Sequence, residues 1–149
     1  MNEVQKAKAA GDAMFAADTA SRELMKMELL SCEPGRAAMR MTVLPPMLNA
    51  HQTCHGGLIF ALADSTFAYT CNSRNKPSVA SGCSIEFLKP ALLGDVLTAV
   101  GVEQVMQGRH GIFDITVSNQ NREVIATFRG RSAQVRHGPA ALGPAPAAG

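Results

Sequence analysis

The chain has little surplus of charge of either sign. Fourteen Lys and Arg stand against 12 Asp and Glu, a formal net charge of +2 spread along 149 residues. A nucleic-acid-binding domain gathers its cations into a basic stripe, and none is present. The densest basic spots are Arg129-Gly130-Arg131 and the Arg136-His137 pair. They read either as solvated strand charge or as contacts for an anionic ligand. Cysteine is sparse, and Cys32, Cys54, Cys71 and Cys83 form no C-x-x-C. No apolar stretch follows the opening Met-Asn-Glu-Val-Gln-Lys, as a secretory signal requires. The expectation is a reduced, cytoplasmic protein with free thiols. The apolar run 56–72 is too short for a membrane span and carries an acid at its centre. No internal repeat is evident, and the length suits one domain with one substantial core.

What is present is a series of periodic segments. Residues 2–17 are rich in Ala, Lys, Glu and Met and predict a helix, with a weak apolar stripe (Val4, Ala7, Met14, Phe15) that Gly11 interrupts. Met25, Met27 and Leu29 then alternate with Lys26 and Glu28, the period of a strand. After the turn signal Cys32-Glu33-Pro34-Gly35, Ala37, Met39, Met41 and Val43 alternate with Arg36, Arg40 and Thr42, giving a second strand and a hairpin. Pro45-Pro46 stops that strand, because proline lacks the amide a ladder needs. A loop over 45–55 leads into an apolar helix over 56–73. Asn75-Lys76-Pro77 closes the helical region, and strands follow over roughly 78–88, 95–106, 111–119 and 123–135.

Consecutive antiparallel strands must cover their apolar face with something. The only segment apolar enough to be wrapped is the 56–73 helix. An α+β fold follows, a curved antiparallel sheet around one long central helix. Its free edges invite pairing between subunits. The tail from Gly138 to Gly149 is rich in Gly, Ala and Pro and is expected to be disordered, which leaves 1–137 as the single domain.

The candidate site lies in 55–73. After His55 this segment carries one formal charge, Asp64, in a run apolar on nearly every side. A helix apolar all round is a buried helix, and a lone buried carboxylate is costly without a partner or a task. One reading ties Asp64 to the hydroxyls of Ser65 and Thr66 or to a backbone amide; the other makes it a catalytic acid. Gly56 and Gly57 open the helix, where the first amides lack partners and the dipole is positive. They serve either to polarise a carbonyl oxygen on the Gly56 amide or to let the helix pack tightly on the sheet. Asp64 lies about 12 Å along the axis from Gly56, too far for one carbonyl to touch both. If both act, a second copy running antiparallel supplies one of them, and a dimer with shared sites is expected. His51, Cys54 and His55 are zinc ligands in kind, but no fourth ligand stands nearby and the spacing matches no common structural site, so no metal is expected. Asn49 reads as a turn residue or as an amide aimed at the reacting water or thioester.

The pattern Asn49-x5-His55-Gly56-Gly57-x5-Ala63-Asp64, followed by Phe67-Ala68-Tyr69 and Cys71-Asn72, resembles the hot-dog-fold thioesterases of the phenylacetate-degradation type, the PaaI group. Ile85-Glu86-Phe87-Leu88-Lys89-Pro90-x3-Gly94-Asp95 and Gly111-Ile112-Phe113-Asp114-Ile115 also look like this group. The resemblance implies a long helix wrapped by an antiparallel sheet, with subunits paired into dimers and dimers into tetramers. It implies hydrolysis of acyl-coenzyme A thioesters, with phenylacetyl-CoA and its ring-hydroxylated relatives the expected substrates. By motif match Asp64 is the catalytic carboxylate, Gly56 the amide at the thioester oxygen, and Asn49 and His55 the supporting polar residues. Gly57 and Phe67 are expected to contact substrate, and Lys89, Arg109 and Arg131 are candidates for the coenzyme A phosphates. Coenzyme A enters as part of the substrate, so no separate cofactor is implied. Two other functions remain open on this fold. A non-catalytic acyl-CoA-binding domain would tolerate loss of Asp64; a hydratase or dehydratase would need a catalytic histidine, for which His55 is best placed.

Overall fold

The computed structural model describes residues 1–136; His137 and the tail expected to be disordered lie outside the described residues. The first helix, α1 (Glu3–Ala17), starts at a capping box in which Asn2 Oδ1 accepts from the Gln5 amide at 2.8 Å and Gln5 Oε1 accepts from the Asn2 amide at 3.0 Å. Reciprocal bonds of this kind satisfy two amides that the helix itself leaves open. The helix runs unbroken through Gly11, which is buried with Ala7 and Ala10 where α1 packs on the first strand.

Six strands follow: β1 (Glu28–Glu33), β2 (Arg36–Thr42), β3 (Ser78–Phe87), β4 (Val96–Gln107), β5 (His110–Ser118) and β6 (Val124–Gln134). They form one sheet in the order β1-β2-β4-β5-β6-β3, with every neighbouring pair antiparallel. Between β2 and β3 the chain forms α2 (Gly56–Cys71), which lies across the concave face, chiefly over β2, β4 and β5. Ile59, Leu62, Ala63, Phe67 and Tyr69 of α2 meet Met39, Met41, Leu97, Phe113, Ile115 and Val117 in one core. The Phe67 ring lies on Gly130 of β6, where an added Cβ would come within 2.7 Å of it. The fold is α+β, a hot-dog arrangement of helix and wrapping sheet.

Three local features depart from the sequence reading. Strand β1 begins at Glu28 rather than Met25. Before it, residues 20–24 form a π-turn, closed by the Met25 amide on Ala20 O at 3.0 Å, and Lys26 takes a left-handed φ of 51°. The helix α2 ends at Cys71, because the Asn72 side chain turns to bridge Ala68 O and both backbone groups of Ser78. Most informative, α2 is apolar all round yet covered on one face only. Gly57 is exposed, and Ala61, Asp64, Ala68 and Cys71 are half-buried.

Strand β3 is also left uncovered. Cys83, Ile85 and Phe87 pair with Gly130, Phe128 and Ala126, so they share the inner face of the sheet. Cys83 and Phe87 are nevertheless exposed and Ile85 is half-buried, since α2 lies chiefly over β2, β4 and β5. No helix among the described residues is long and apolar enough to cross a membrane.

Candidate active site

The loop leading to α2 is organised by one asparagine. Asn49 Oδ1 accepts from the backbone amides of His51 at 2.9 Å and Thr53 at 3.2 Å, and its Nδ2 donates to Thr53 Oγ1 at 3.1 Å. The side chain thus replaces a backbone acceptor in a tight turn. Its contacts are those of the turn residue, and its oxygen faces its own loop.

His55 connects this loop to the helix. Its amide donates to Met47 O at 2.8 Å, and its Nδ1 accepts from the Gly57 amide at 3.1 Å. The imidazole therefore caps α2, in the place where Ser, Thr, Asp or Asn usually stands. With Nδ1 accepting, the neutral ring carries its proton on Nε2.

The cap engages Gly57 and leaves Gly56 free. Among the described residues the Gly56 amide has no acceptor, and it sits at the positive end of α2. The Phe87 ring stands in front of it; a Cβ on Gly56 would lie 3.3 Å from Phe87 Cζ. A side chain at this position would crowd the ring and the approach of a carbonyl oxygen to the amide.

Asp64 sits two turns further along, on the uncovered side of α2. It is half-buried, and burial raises its pKa. The hydroxyls that would tie it down are engaged elsewhere: Ser65 Oγ lies 3.4 Å from Ser21 Oγ, and Thr66 donates to Leu62 O at 2.8 Å. Among the described residues the carboxylate has neither a hydrogen-bond partner nor an ion-pair partner. Groups buried without partners and shifted in pKa gather at functional sites.

The thiols nearby are not activated. Burial pushes Cys54 up to about 11 and Cys71 up to about 12, and it also raises Cys83. A thiol needs a lowered pKa to act as a nucleophile near neutral pH. Among the described residues no three His, Cys, Asp or Glu side chains gather closely enough to hold a metal ion.

Residues 51–126 match the thioesterase superfamily. The chain belongs to that superfamily. This thioesterase is 42% identical over 123 residues to acyl-coenzyme A thioesterase PaaI of Escherichia coli (strain K12), a match covering 83% of this chain and 87% of the relative. It also superposes on the solved structure of E. coli PaaI, from the phenylacetic acid degradation operon, with a TM-score of 0.88 and 40% identity, over 90% of this chain and 96% of that one. The Streptococcus mutans UA159 protein smu.793, solved bound to acetyl-CoA, matches at a TM-score of 0.71 and 28% identity, over 73% of this chain and 88% of that one.

The other residues singled out from the sequence are scattered over this thioesterase. Phe67 is 1% exposed, with its ring 5.6 Å from that of Phe113 and 5.8 Å from that of Phe128. It is a core residue facing the sheet. Lys89 pairs with Glu123 just beyond β3, at the end of the sheet near the start of α2. Arg109 donates to Gln134 O at 3.0 Å in the β4–β5 turn, toward the other end. Arg131 alternates with the buried Gly130 and Ser132, so it points from the outer face. The structure does not bring these three cations together. A depression of about 380 Å³, lined by Ser84, Glu86, Asp114 and Arg129 among others, also opens on that outer face, away from Asp64. Phe87 over Gly56 and the Asp18–Tyr69 bond are contacts that sequence spacing does not signal.

Proposed function

We propose that this thioesterase hydrolyses arylacetyl-coenzyme A thioesters, phenylacetyl-CoA or its ring-hydroxylated relatives, to the free acid and coenzyme A. The observation that carries the reading is the half-buried Asp64 carboxylate with no partner, on the same helix as a free Gly56 amide about 12 Å away. The similarity to E. coli PaaI supports the substrate class.

The separation calls for two chains. The inner face of β3 and the outward side of α2 are both apolar and uncovered, and β3 is an unpaired sheet edge. A two-fold dimer joined along β3 would cover all three surfaces. It would lay two α2 helices antiparallel, with the start of one beside the middle of the other. Each site then takes its amide from Gly56 of one subunit and its carboxylate from Asp64 of the partner subunit. Two such dimers form a homotetramer, and the protein works in the cytoplasm, where its four free cysteines stay reduced.

In this site the thioester oxygen accepts from the Gly56 amide, which holds the negative charge that develops on it. Asp64 either takes a proton from water as the oxygen attacks the carbonyl carbon, or attacks that carbon itself to form an anhydride that water then opens. In both routes the C–S bond breaks, and the sulfur leaves as thiolate and takes up a proton. Thiolate is a good leaving group, so the reaction as proposed invokes no metal or resident cofactor. The His55 ring, held as a helix cap, supports hydrolysis over a hydratase chemistry that would need it free. Release of coenzyme A thiol from phenylacetyl-CoA tests the proposal. Asp64→Asn and Asp64→Ala are expected to lower kcat by roughly 10²–10⁴-fold; activity within a few-fold of the parent would remove Asp64 from the mechanism.

A further inference from the structure

The segment between α1 and β1 is fastened to α2 beside Asp64, and the hydrolytic scheme leaves it unused. Tyr69 is 1% exposed, and its hydroxyl donates to Asp18 Oδ2 at 2.9 Å. The other oxygen, Asp18 Oδ1, accepts from the Ser21 amide at 3.2 Å and so fixes the start of the π-turn. Ser21 Oγ then lies 3.4 Å from Ser65 Oγ, on the residue directly after Asp64. The Phe15 ring stands edge-on to Tyr69 with centroids 6.3 Å apart. One carboxylate thus joins the π-turn to the central helix across 51 residues of sequence.

The π-turn presents its apolar end outward. Leu24 is 77% exposed, as much as Met1 at the chain terminus, and Met25 packs at the edge of the core. A π-turn displaces side chains from helical register and recurs at functional sites. Through the Ser21–Ser65 contact the π-turn borders the flank of α2 next to Asp64.

We propose that Asp18 and Tyr69 form a latch that sets acyl selectivity, by holding the π-turn so that Leu24 and Met25 wall the aryl end of the substrate. The proposal rests on the reading of Asp64 given above. Asp18 and Tyr69 are positioning residues in it, and Leu24 is the contact.

The test measures kcat and KM for phenylacetyl-CoA and acetyl-CoA with Leu24→Ala, Asp18→Ala, Asp18→Asn and Asp64→Asn. The ratio of kcat/KM for phenylacetyl-CoA over acetyl-CoA is expected to fall about tenfold in Leu24→Ala and Asp18→Ala, chiefly through KM. Asp18→Asn can keep its oxygen on the Ser21 amide and donate from Nδ2 to the Tyr69 oxygen, and is expected to recover most of the ratio. Leu24 is exposed, so its variant keeps the fold and the comparison holds even where Asp18→Ala is unstable. A ratio within twofold of the parent in Leu24→Ala overturns the latch. Asp64→Asn separates the two proposals: loss of both activities with a flat ratio in Leu24→Ala sinks the latch alone, whereas an active Asp64→Asn sinks the site beneath it.

Discussion

Replacing Asp64 with asparagine keeps the side-chain shape and removes the charge. Stability and activity should then move in opposite directions. In the folded chain burial raises the Asp64 pKa, and no hydrogen bond or cation among the described residues opposes it. A carboxyl whose folded pKa is raised binds its proton more tightly folded than unfolded. Below the ordinary carboxylate range both states are protonated, and Asp64 has no effect on stability. As pH rises through that range the unfolded chain ionises first and stability falls; above the raised folded value the full cost persists. Each pH unit between the two values is worth about 1.4 kcal/mol, before discounting for solvent screening at a half-buried group. Asp64→Asn is therefore expected to raise Tm at neutral pH, each kcal/mol appearing as roughly 2–4 °C in a domain near this size. The gain should vanish in acid, below the carboxylate range. Hydrolysis at neutral pH should fall by at least about 10²-fold. Thermal unfolding of both proteins across the pH range, with thiol release measured on the same samples, checks the pair of effects. An asparagine variant less stable than the parent at neutral pH would refute the reasoning, because it would mean that the positive start of the partner's α2 stabilises the carboxylate by more than burial penalises it.

Two further substitutions separate capping from packing. His55→Ala removes the acceptor of the Gly57 amide and is expected to cost about 1 kcal/mol in urea unfolding, with lost activity, while His55→Asn restores the cap and most of the stability. Phe67→Ala empties a fully buried ring site against Phe113, Phe128 and Gly130 and is expected to cost about 3–5 kcal/mol in denaturant unfolding; lost activity at unchanged stability would instead put this ring in the substrate cleft.

The strands were legible because their signal is local. Met39 and Met41 flank Arg40, and Phe113, Ile115 and Val117 alternate with Asp114 and Thr116; each apolar set is buried on the inner face. Asp64 and Gly56 were legible for a related reason: a single charge and a glycine pair stand out in an apolar helix, and helical rise converts their spacing into a distance. That the sheet wraps α2 was legible; which side of the helix it leaves open was not. Apolar residues on every side report burial, but they do not distinguish a cover made by the chain's own sheet from one made by a second copy. The π-turn carried no local mark, since Asp18 and Tyr69, which hold it, are distant in sequence. Lys89, Arg109 and Arg131 were singled out for charge, and charge alone says nothing about which end or face of the sheet a residue occupies. His55 was expected near the site, but its use as a helix cap depends on a ring geometry that no residue pattern encodes.

The shared site can be tested by mixing two inactive proteins. Gly56→Pro removes the amide at the first helical position, where proline is tolerated, and His55 before it already has the extended ψ of 130° that a following proline requires. Asp64→Asn removes the carboxylate. Equal amounts allowed to exchange subunits make half of the dimers mixed, and each mixed dimer holds one intact site and one doubly disabled site. The account predicts recovery of about a quarter of the parent's phenylacetyl-CoA hydrolysis from two preparations that are each inactive. Activity that stays at the level of the separate variants after demonstrated exchange would contradict it.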